Sequence, residues 1–336
     1  MNFLIFFTII ISIMFSESDV YTIAEIFKND KRGNKGVEKL LNQEGIRKDK
    51  NLDYTCGVFD ENYNLVATGS CFGNTLRCVA VSREHQGEGL VNKIFSHLLQ
   101  IQFERNNFHI FLYTKYSSSQ FFKDLGFYEI VKIKDQIVFM ENKKKGFQDY
   151  LKELSKIKKN GKKIAAIVMN ANPFTLGHLY LIEKSSKEND ILHLFIVSED
   201  KSIFPFNIRK KLIIEGTSHI KNIIYHDSGP YIISSATFPS YFQKDENAVI
   251  ESHANIDLEI FVKIAKSLDI NARYVGEEPK SVVTGIYNKI MEEKFPQYDT
   301  NCIVVPRKNE NSGDIINVSN VRNLIKMGIL IKLKKW

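Results

Sequence analysis

The sequence predicts an α/β fold in two parts, a mixed α/β domain followed by a domain built on a parallel sheet. Three observations predict it. From Lys163 onward, short β-branched runs alternate with longer helical stretches, which calls for parallel strands with crossover helices on both faces. Before residue 145 the strand candidates are close together and separated by turn residues, with fewer helical stretches among them. Between the two lies a charged segment, 146–162, with an amphipathic stripe of Phe147, Tyr150, Leu151, Leu154 and Ile157, read as a linking helix that Gly161 ends.

The elements follow in order. Lys35–Leu41 is helical, and 55–60 and 64–70 alternate around Glu61-Asn62 as two strands joined by a turn. Leu76–Val81 is a strand running into REHQGEGLVNKIF, where Gly87 and Gly89 precede a helix carrying Leu90, Ile94, Leu98 and Ile101. Ile110–Tyr113 is a strand, Ser119–Leu125 a helix and Ile137–Met140 a closing strand. In the second part, strands are expected at Lys163–Met169, Ile191–Val197, Ile223–His226, Ala272–Gly276 and Thr300–Pro306. Helices are expected at Leu176–Lys187, Asn207–Thr217, Ile256–Leu268, Ser281–Lys294 and Val318–Met327.

At 336 residues the chain is long enough for two cores. Composition is that of an ordinary globular protein, 43% apolar and 25% charged, which excludes wholesale disorder. The net charge of +7 favours an anionic partner, yet no recognition helix, zinc finger or aromatic-laced groove accompanies it, so nucleic acid is not expected. The four cysteines, Cys56, Cys71, Cys78 and Cys302, have neither CxxC spacing nor a histidine nearby, which argues against a zinc site or disulfide scaffold and for a reducing compartment. Residues 3–15, FLIFFTIIISIMF, are continuously apolar but shorter than a membrane-spanning helix needs. A secretory core, a peripheral anchor and a buried or disordered extension all stay open for residues 1–17, a leader of unknown role. Stable membrane association is not expected, and the location expected is cytoplasmic.

The chemistry concentrates in MNANPFTLGH, residues 169–178, a turn between a strand and a helix. Ligands of parallel α/β sheets bind beyond the carboxyl ends of the strands, where this turn falls. Thr175 and His178, three residues apart, share one face of the first helical turn, and Gly177 leaves the backbone between them open to a nucleotide. Attack on an α-phosphorus develops charge on its oxygens and on leaving pyrophosphate, so oriented donors at a helix N-terminus are what the reaction needs. No GxxxxGK[ST] loop occurs near this turn. The turn is read as an ATP site that transfers adenylyl groups.

Several motifs carry resemblances. Gly87 and Gly89 after a strand and before a helix resemble the acyl-CoA-binding turn of GNAT-type acetyltransferases, although Glu84 stands where that pattern has Gln or Arg. TLGH resembles the (H/T)xGH signature of the nucleotidyltransferase superfamily. That superfamily's second element, Ile-Ser-x-Ser/Thr-x-x-Arg, is matched by Ile316 to Arg322 with Asn317 in place of its first serine. Over residues 20–330 the chain is similar to the citrate lyase ligases. EGIRKDKNLDYTCGVFD, QGEGLVNKIFSHLLQIQ, IVMNANPFTLGHLYLIEKSS, LHLFIVSEDKSIFPFNIRKKLI and RYVGEEP carry the similarity in that order.

The resemblance implies a GNAT-like acetyltransferase domain over 18–145, a linker helix over 146–162 and a Rossmann-like nucleotidyltransferase domain over 163–336. It implies an AMP-forming acid–thiol ligase that acetylates the thiol prosthetic group of the acyl carrier protein subunit of citrate lyase. The substrates would be ATP and acetate, the intermediate an acetyl-adenylate, and Mg²⁺ a companion of ATP. His178, Thr175 and Arg322 would be catalytic. Met169, Asn170, Asn172, Phe174, Gly177, Asp200, Arg209 and Ser319 would hold the nucleotide. Glu277 and Glu278 are candidates for Mg²⁺ and equally for solvated loop charges, so no metal ligand is assigned. Segment 234–242, with Ser235 and Thr237, would line an acetate or thiol channel. The alternatives are an adenylyltransferase of the pantetheine or nicotinamide nucleotide type and a non-catalytic assembly protein.

Overall fold

The computed structural model describes residues 20–199, 203–232, 234, 238–239, 246–277 and 281–306. The expected helix at 318–327, with Ser319 and Arg322, and the positions Asp200, Ser235, Thr237 and Glu278 lie outside the described residues. The chain divides into two compact units, Met1–Leu112 and Tyr113–Trp336.

In the first unit, β1 (Thr22–Glu25), α1 (Lys31–Gln43), β2 (Tyr54–Phe59), β3 (Leu65–Phe72), β4 (Thr75–Val81), α2 (Leu90–Glu104) and the start of β5 (Phe111–Lys115) follow one another. The strand order is β1-β2-β3-β4-β5. The first four strands pair antiparallel, and β5 joins β4 in parallel at Thr75↔Phe111 and Leu76↔Leu112, so the sheet is mixed. Helix α1 begins earlier than its apolar spacing suggests because the Asp30 side chain caps it, accepting from Gly33 N–H at 2.9 Å. Leu90, Ile94 and Leu98 of α2 are buried at the expected spacing. Cys56, Cys71 and Cys78 are buried free thiols, and burial pushes each up to about 12, which leaves them protonated and unreactive.

The second unit continues β5 and adds α3 (Ser119–Asp124), β6 (Tyr128–Ile133) and β7 (Ile137–Glu141), in the order β5-β7-β6. After α4 (Gly146–Ser155) come β8 (Ile164–Met169), α5 (Leu176–Glu188), β9 (Ile191–Ile196), α6 (Phe206–Gly216) and β10 (Ile223–Asp227). The described part ends with α7 (Glu246–Leu268), β11 (Ala272–Gly276), α8 (Val282–Lys294) and β12 (Asn301–Val305). These five strands form the predicted all-parallel sheet, in the order β10-β9-β8-β11-β12.

Alternation along each strand sorts the side chains between two faces. Ala165, Ile167, Met169, Leu192, Leu194, Ile196 and Tyr274 share one buried cluster with Ile182 of α5 and Ile213 of α6. The intervening residues His193, Phe195 and Arg273 are buried on the opposite face. There Arg273 meets Asp257 of α7 at 2.7 Å and lies over the Phe261 and Phe295 rings. From β8 the chain runs outward through β9 to β10, then returns to lay β11 against the other side of β8. The carboxyl end of β8 therefore stands at the point where strand order reverses, the place such sheets use for ligands. Among the described residues no helix is long and apolar enough to cross a membrane.

Candidate nucleotide site

The MNANPFTLGH turn leaves the end of β8 and opens α5. Met169 is core: its side chain is buried in the cluster and its carbonyl accepts from Val197 N–H at 3.0 Å. Ala171, also buried, takes a left-handed conformation (φ 46°), which costs an alanine about 1–2 kcal/mol. Asn172 Oδ1 accepts from Phe204 N–H at 3.1 Å, joining this turn to the segment before α6. Phe174 packs against the cluster, its ring where a Cβ on Gly216 would stand, 2.5 Å away. Glycine at the end of α6 is what lets the ring lie flush.

Thr175 caps α5 with extended backbone (φ −132°, ψ 167°) and is buried. The His178 imidazole, three residues on, completes a capping box. Its Nδ1 accepts from the Thr175 N–H at 3.1 Å and lies 2.8 Å from the Thr175 hydroxyl. A backbone N–H can only donate, so Nδ1 carries no proton in this arrangement, and the neutral ring bears its proton on Nε2. The pair thus sets the tautomer and plane of His178 and places the proton on its far nitrogen. Gly177 is exposed, and among the described residues a Cβ there would meet Thr175 Oγ1 alone, at 3.8 Å. Neither the helix nor its neighbours require glycine at this position. A ligand lying against the α5 backbone would.

Arg209 of α6 is fully buried and its guanidinium serves the chain itself. Nε donates to Phe204 O at 3.1 Å, Nη1 to Asn170 O at 2.7 Å and Val197 O at 3.0 Å, and Nη2 to Glu199 O at 2.5 Å. One side chain therefore ties together the segments leaving β8 and β9 and the approach to α6. Sequence reasoning, which put Arg209 among nucleotide contacts, did not reveal this positioning task. It also passed over Glu199, whose Oε2 accepts from the Ser234 N–H at 3.1 Å and hydroxyl at 2.8 Å. The available signal was a carboxylate just beyond the carboxyl end of a parallel strand. Thr175, Gly177, His178, Asn170, Asn172, Phe174 and Arg209 are thus assembled at or behind one turn.

The glycine turn of the first unit has the expected conformation, with Gly87 at φ 89° and Gly89 at φ 74° before α2. Its charge is unfavourable to a pyrophosphate. Glu88 stands between the glycines, accepts from the Tyr21 hydroxyl and pairs with His85 at 3.1 Å, and Glu84 lies nearby in sequence.

Comparison with known proteins bears on both units. A family model described as the citrate lyase ligase C-terminal domain matches residues 164–336. The [citrate [pro-3S]-lyase] ligase of Haemophilus influenzae is 37% identical over 292 residues, covering 85% of this chain and 87% of that protein. The enzyme of that name from Klebsiella pneumoniae is 35% identical over 304 residues, 88% of each chain. The one from Escherichia coli is 37% identical over 278 residues, covering 82% of this chain and 77% of its own.

Proposed function

The chain belongs to the citrate lyase ligase family, and we propose that it uses ATP to acetylate the thiol arm of the acyl carrier protein of citrate lyase. The observation that carries this reading is the Thr175–His178 box at the carboxyl end of β8, a fixed donor at a helix start. Acetate has no leaving group, so a carboxylate oxygen first attacks the α-phosphorus of ATP and displaces pyrophosphate. The carrier thiolate then attacks the acetyl carbonyl and AMP departs. His178 Nε2–H and the first N–H groups of α5 stabilise the oxygens that gain charge in the first step. As the resemblance implies, Arg322 and Ser319 serve the leaving pyrophosphate and Asp200 contributes to holding the nucleotide. Met169, Phe174 and Arg209 hold the turn from behind, while Asn170, Asn172 and Gly177 line the nucleotide's side of it. The domain limits 18–145 and 163–336 and a cytoplasmic location belong to the same proposal.

Mg²⁺ is the ion that ATP chemistry ordinarily recruits, supplying positive charge to the phosphates. Among the described residues no group of three or more acidic, histidine or cysteine side chains could cage it. A cation here would rest mainly on phosphate oxygens, with a carboxylate as its protein partner.

Exchange of labelled pyrophosphate into ATP tests the reading. Acetate alone should support exchange, because the adenylate forms before the carrier is needed. Exchange that ignores acetate and requires a phosphorylated co-substrate would instead make the protein an adenylyltransferase of pantetheine or nicotinamide nucleotides. Gly177→Ala separates folding from binding. It should raise the melting temperature slightly, since alanine improves on glycine in a helix by up to about 1 kcal/mol. The methyl group should at the same time weaken ATP binding in a titration, because it would stand on the exposed side of the α5 start, where the nucleotide is proposed to lie.

A further inference from the structure

Glu199 lies three residues beyond the β9 end of the parallel sheet, beside the ATP turn. Its placement is rigid on two counts. The Arg209 guanidinium that donates to Asn170 O also donates to the Glu199 carbonyl, so the backbone of Glu199 is tied to the segment leading to Thr175 and His178. The preceding residue is locked to the exit of β10: Ser198 N–H donates to Ser228 Oγ at 3.0 Å, and Gly229 N–H donates to Ser198 Oγ at 3.1 Å. Ser234 then fixes the carboxylate by donating twice to Oε2.

The other oxygen, Oε1, is buried and has no hydrogen-bond partner among the described residues. Removing a carboxylate oxygen from water without a donor or a cation is costly, and none among the described residues compensates it. An unpartnered anionic oxygen near the ligand-binding end of the sheet suits a hard divalent cation. Such a cation characteristically takes one or two protein carboxylates and completes its shell with phosphates and water. We infer that Glu199 Oε1 is the protein's ligand to the divalent cation that accompanies ATP. Ser234 is its positioning residue. The inference rests on the ATP reading proposed above.

The test is the dependence of ATP affinity on Mn²⁺, measured by titration calorimetry on the full chain with Mn²⁺ or with EDTA. Electron paramagnetic resonance of the bound Mn²⁺ provides a second readout. Wild-type protein should bind ATP more tightly with Mn²⁺. Glu199→Gln keeps an acceptor for Ser234 but removes the charge, and should cut that enhancement on the order of ten- to a hundredfold. Affinity in EDTA should be unchanged or higher, since a negative charge near the phosphates is gone. Ser234→Ala should lower the enhancement less and alter the Mn²⁺ line shape. An undiminished Mn²⁺ enhancement in folded Glu199→Gln overturns the assignment. If that variant does not fold, Glu199→Asp serves, because withdrawing the carboxylate by one methylene should also reduce the enhancement, and an unchanged value refutes the ligand. Failure of wild-type protein to bind ATP under any condition would condemn the parent reading instead.

Discussion

His178→Ala should lower acetate-dependent pyrophosphate exchange by roughly 10²–10³-fold, the usual consequence of removing one pre-aimed donor from a developing oxyanion. The Thr175 contact explains why the loss should fall on the chemical step. With Nδ1 accepting from the Thr175 N–H at 3.1 Å, the ring is held in one plane with its proton on Nε2 before ATP arrives. No reorganisation is then needed as charge develops. Alanine removes both the donor and half of the capping box, so stability should fall as well, by about 0.5–2 kcal/mol. A comparison with Thr175→Val separates the two effects. Valine retains the backbone N–H that sets the tautomer and loses only the hydroxyl, so exchange should fall much less than in His178→Ala. Steady-state exchange rates, with circular dichroism as the folding control, decide the matter. Equal losses in the two variants would mean that His178 acts by holding the helix start, not by touching phosphate.

The parallel sheet was readable because its strands are short apolar runs, the inner ones buried on both faces, separated by helices of adequate length. Ile191–Ile196 and Ile164–Met169 are almost entirely buried, as their composition requires. Two strands escaped notice. β1 has four residues and only its second is even partly buried, so no apolar alternation marks it. β6 is exposed at Tyr128 and Glu129, and its sheet position is set by pairing with β7. Helix α7 begins at Glu246, ten residues before the apolar pattern seen from Ile256. Ser252, His253 and Asn255 look like solvent-facing residues yet are buried: Lys294 donates to Asn255 at 2.6 Å, and the His253 ring stacks on Phe238 with centroids 4.6 Å apart.

At the site, the turn and its spacing were legible, while the division of labour behind it was not. Thr175 and His178 are three residues apart, so local helix geometry alone brings them together. Arg209 is implied as a nucleotide contact by the resemblance. Its burial among backbone carbonyls depends on where β8, β9 and α6 meet, which no local pattern encodes. Glu199 is the converse: a surface-type residue in sequence whose carboxylate becomes half bonded and half orphaned through Ser234, thirty-five positions away.

Acidification from pH 7 to pH 5 should destabilise the second unit on the order of 2–4 kcal/mol through His193 of β9 and His226 of β10. The rings are buried, with His193 Nδ1 2.8 Å from His226 Nε2, and His226 is stacked on Phe195. Burial lowers His193 to about 4, assisted by Lys159, and lowers His226 to about 3, where the neighbouring His193 adds to burial. Two neutral imidazoles can share one proton between those nitrogens, whereas two imidazolium rings would face each other with like charge. The unfolded histidines titrate near 6.5, so below that pH the unfolded chain binds protons that the folded chain refuses. Stability is therefore fully present above about pH 6.5 and declines as pH falls toward the folded values. Carboxylates held low by hydrogen bonds, such as Glu188 and Asp190, lose their contribution only within and below the carboxylate range, so they leave the interval from pH 6.5 to 5 largely to histidines. His97 in the first unit, also lowered by burial, adds to the same interval and serves as the internal comparison. Urea titrations of wild type and of the His193→Leu/His226→Leu double variant at pH 7 and pH 5 measure the effect. The double variant should lose much less stability between the two pH values, and an equal loss in both proteins would assign acid sensitivity elsewhere.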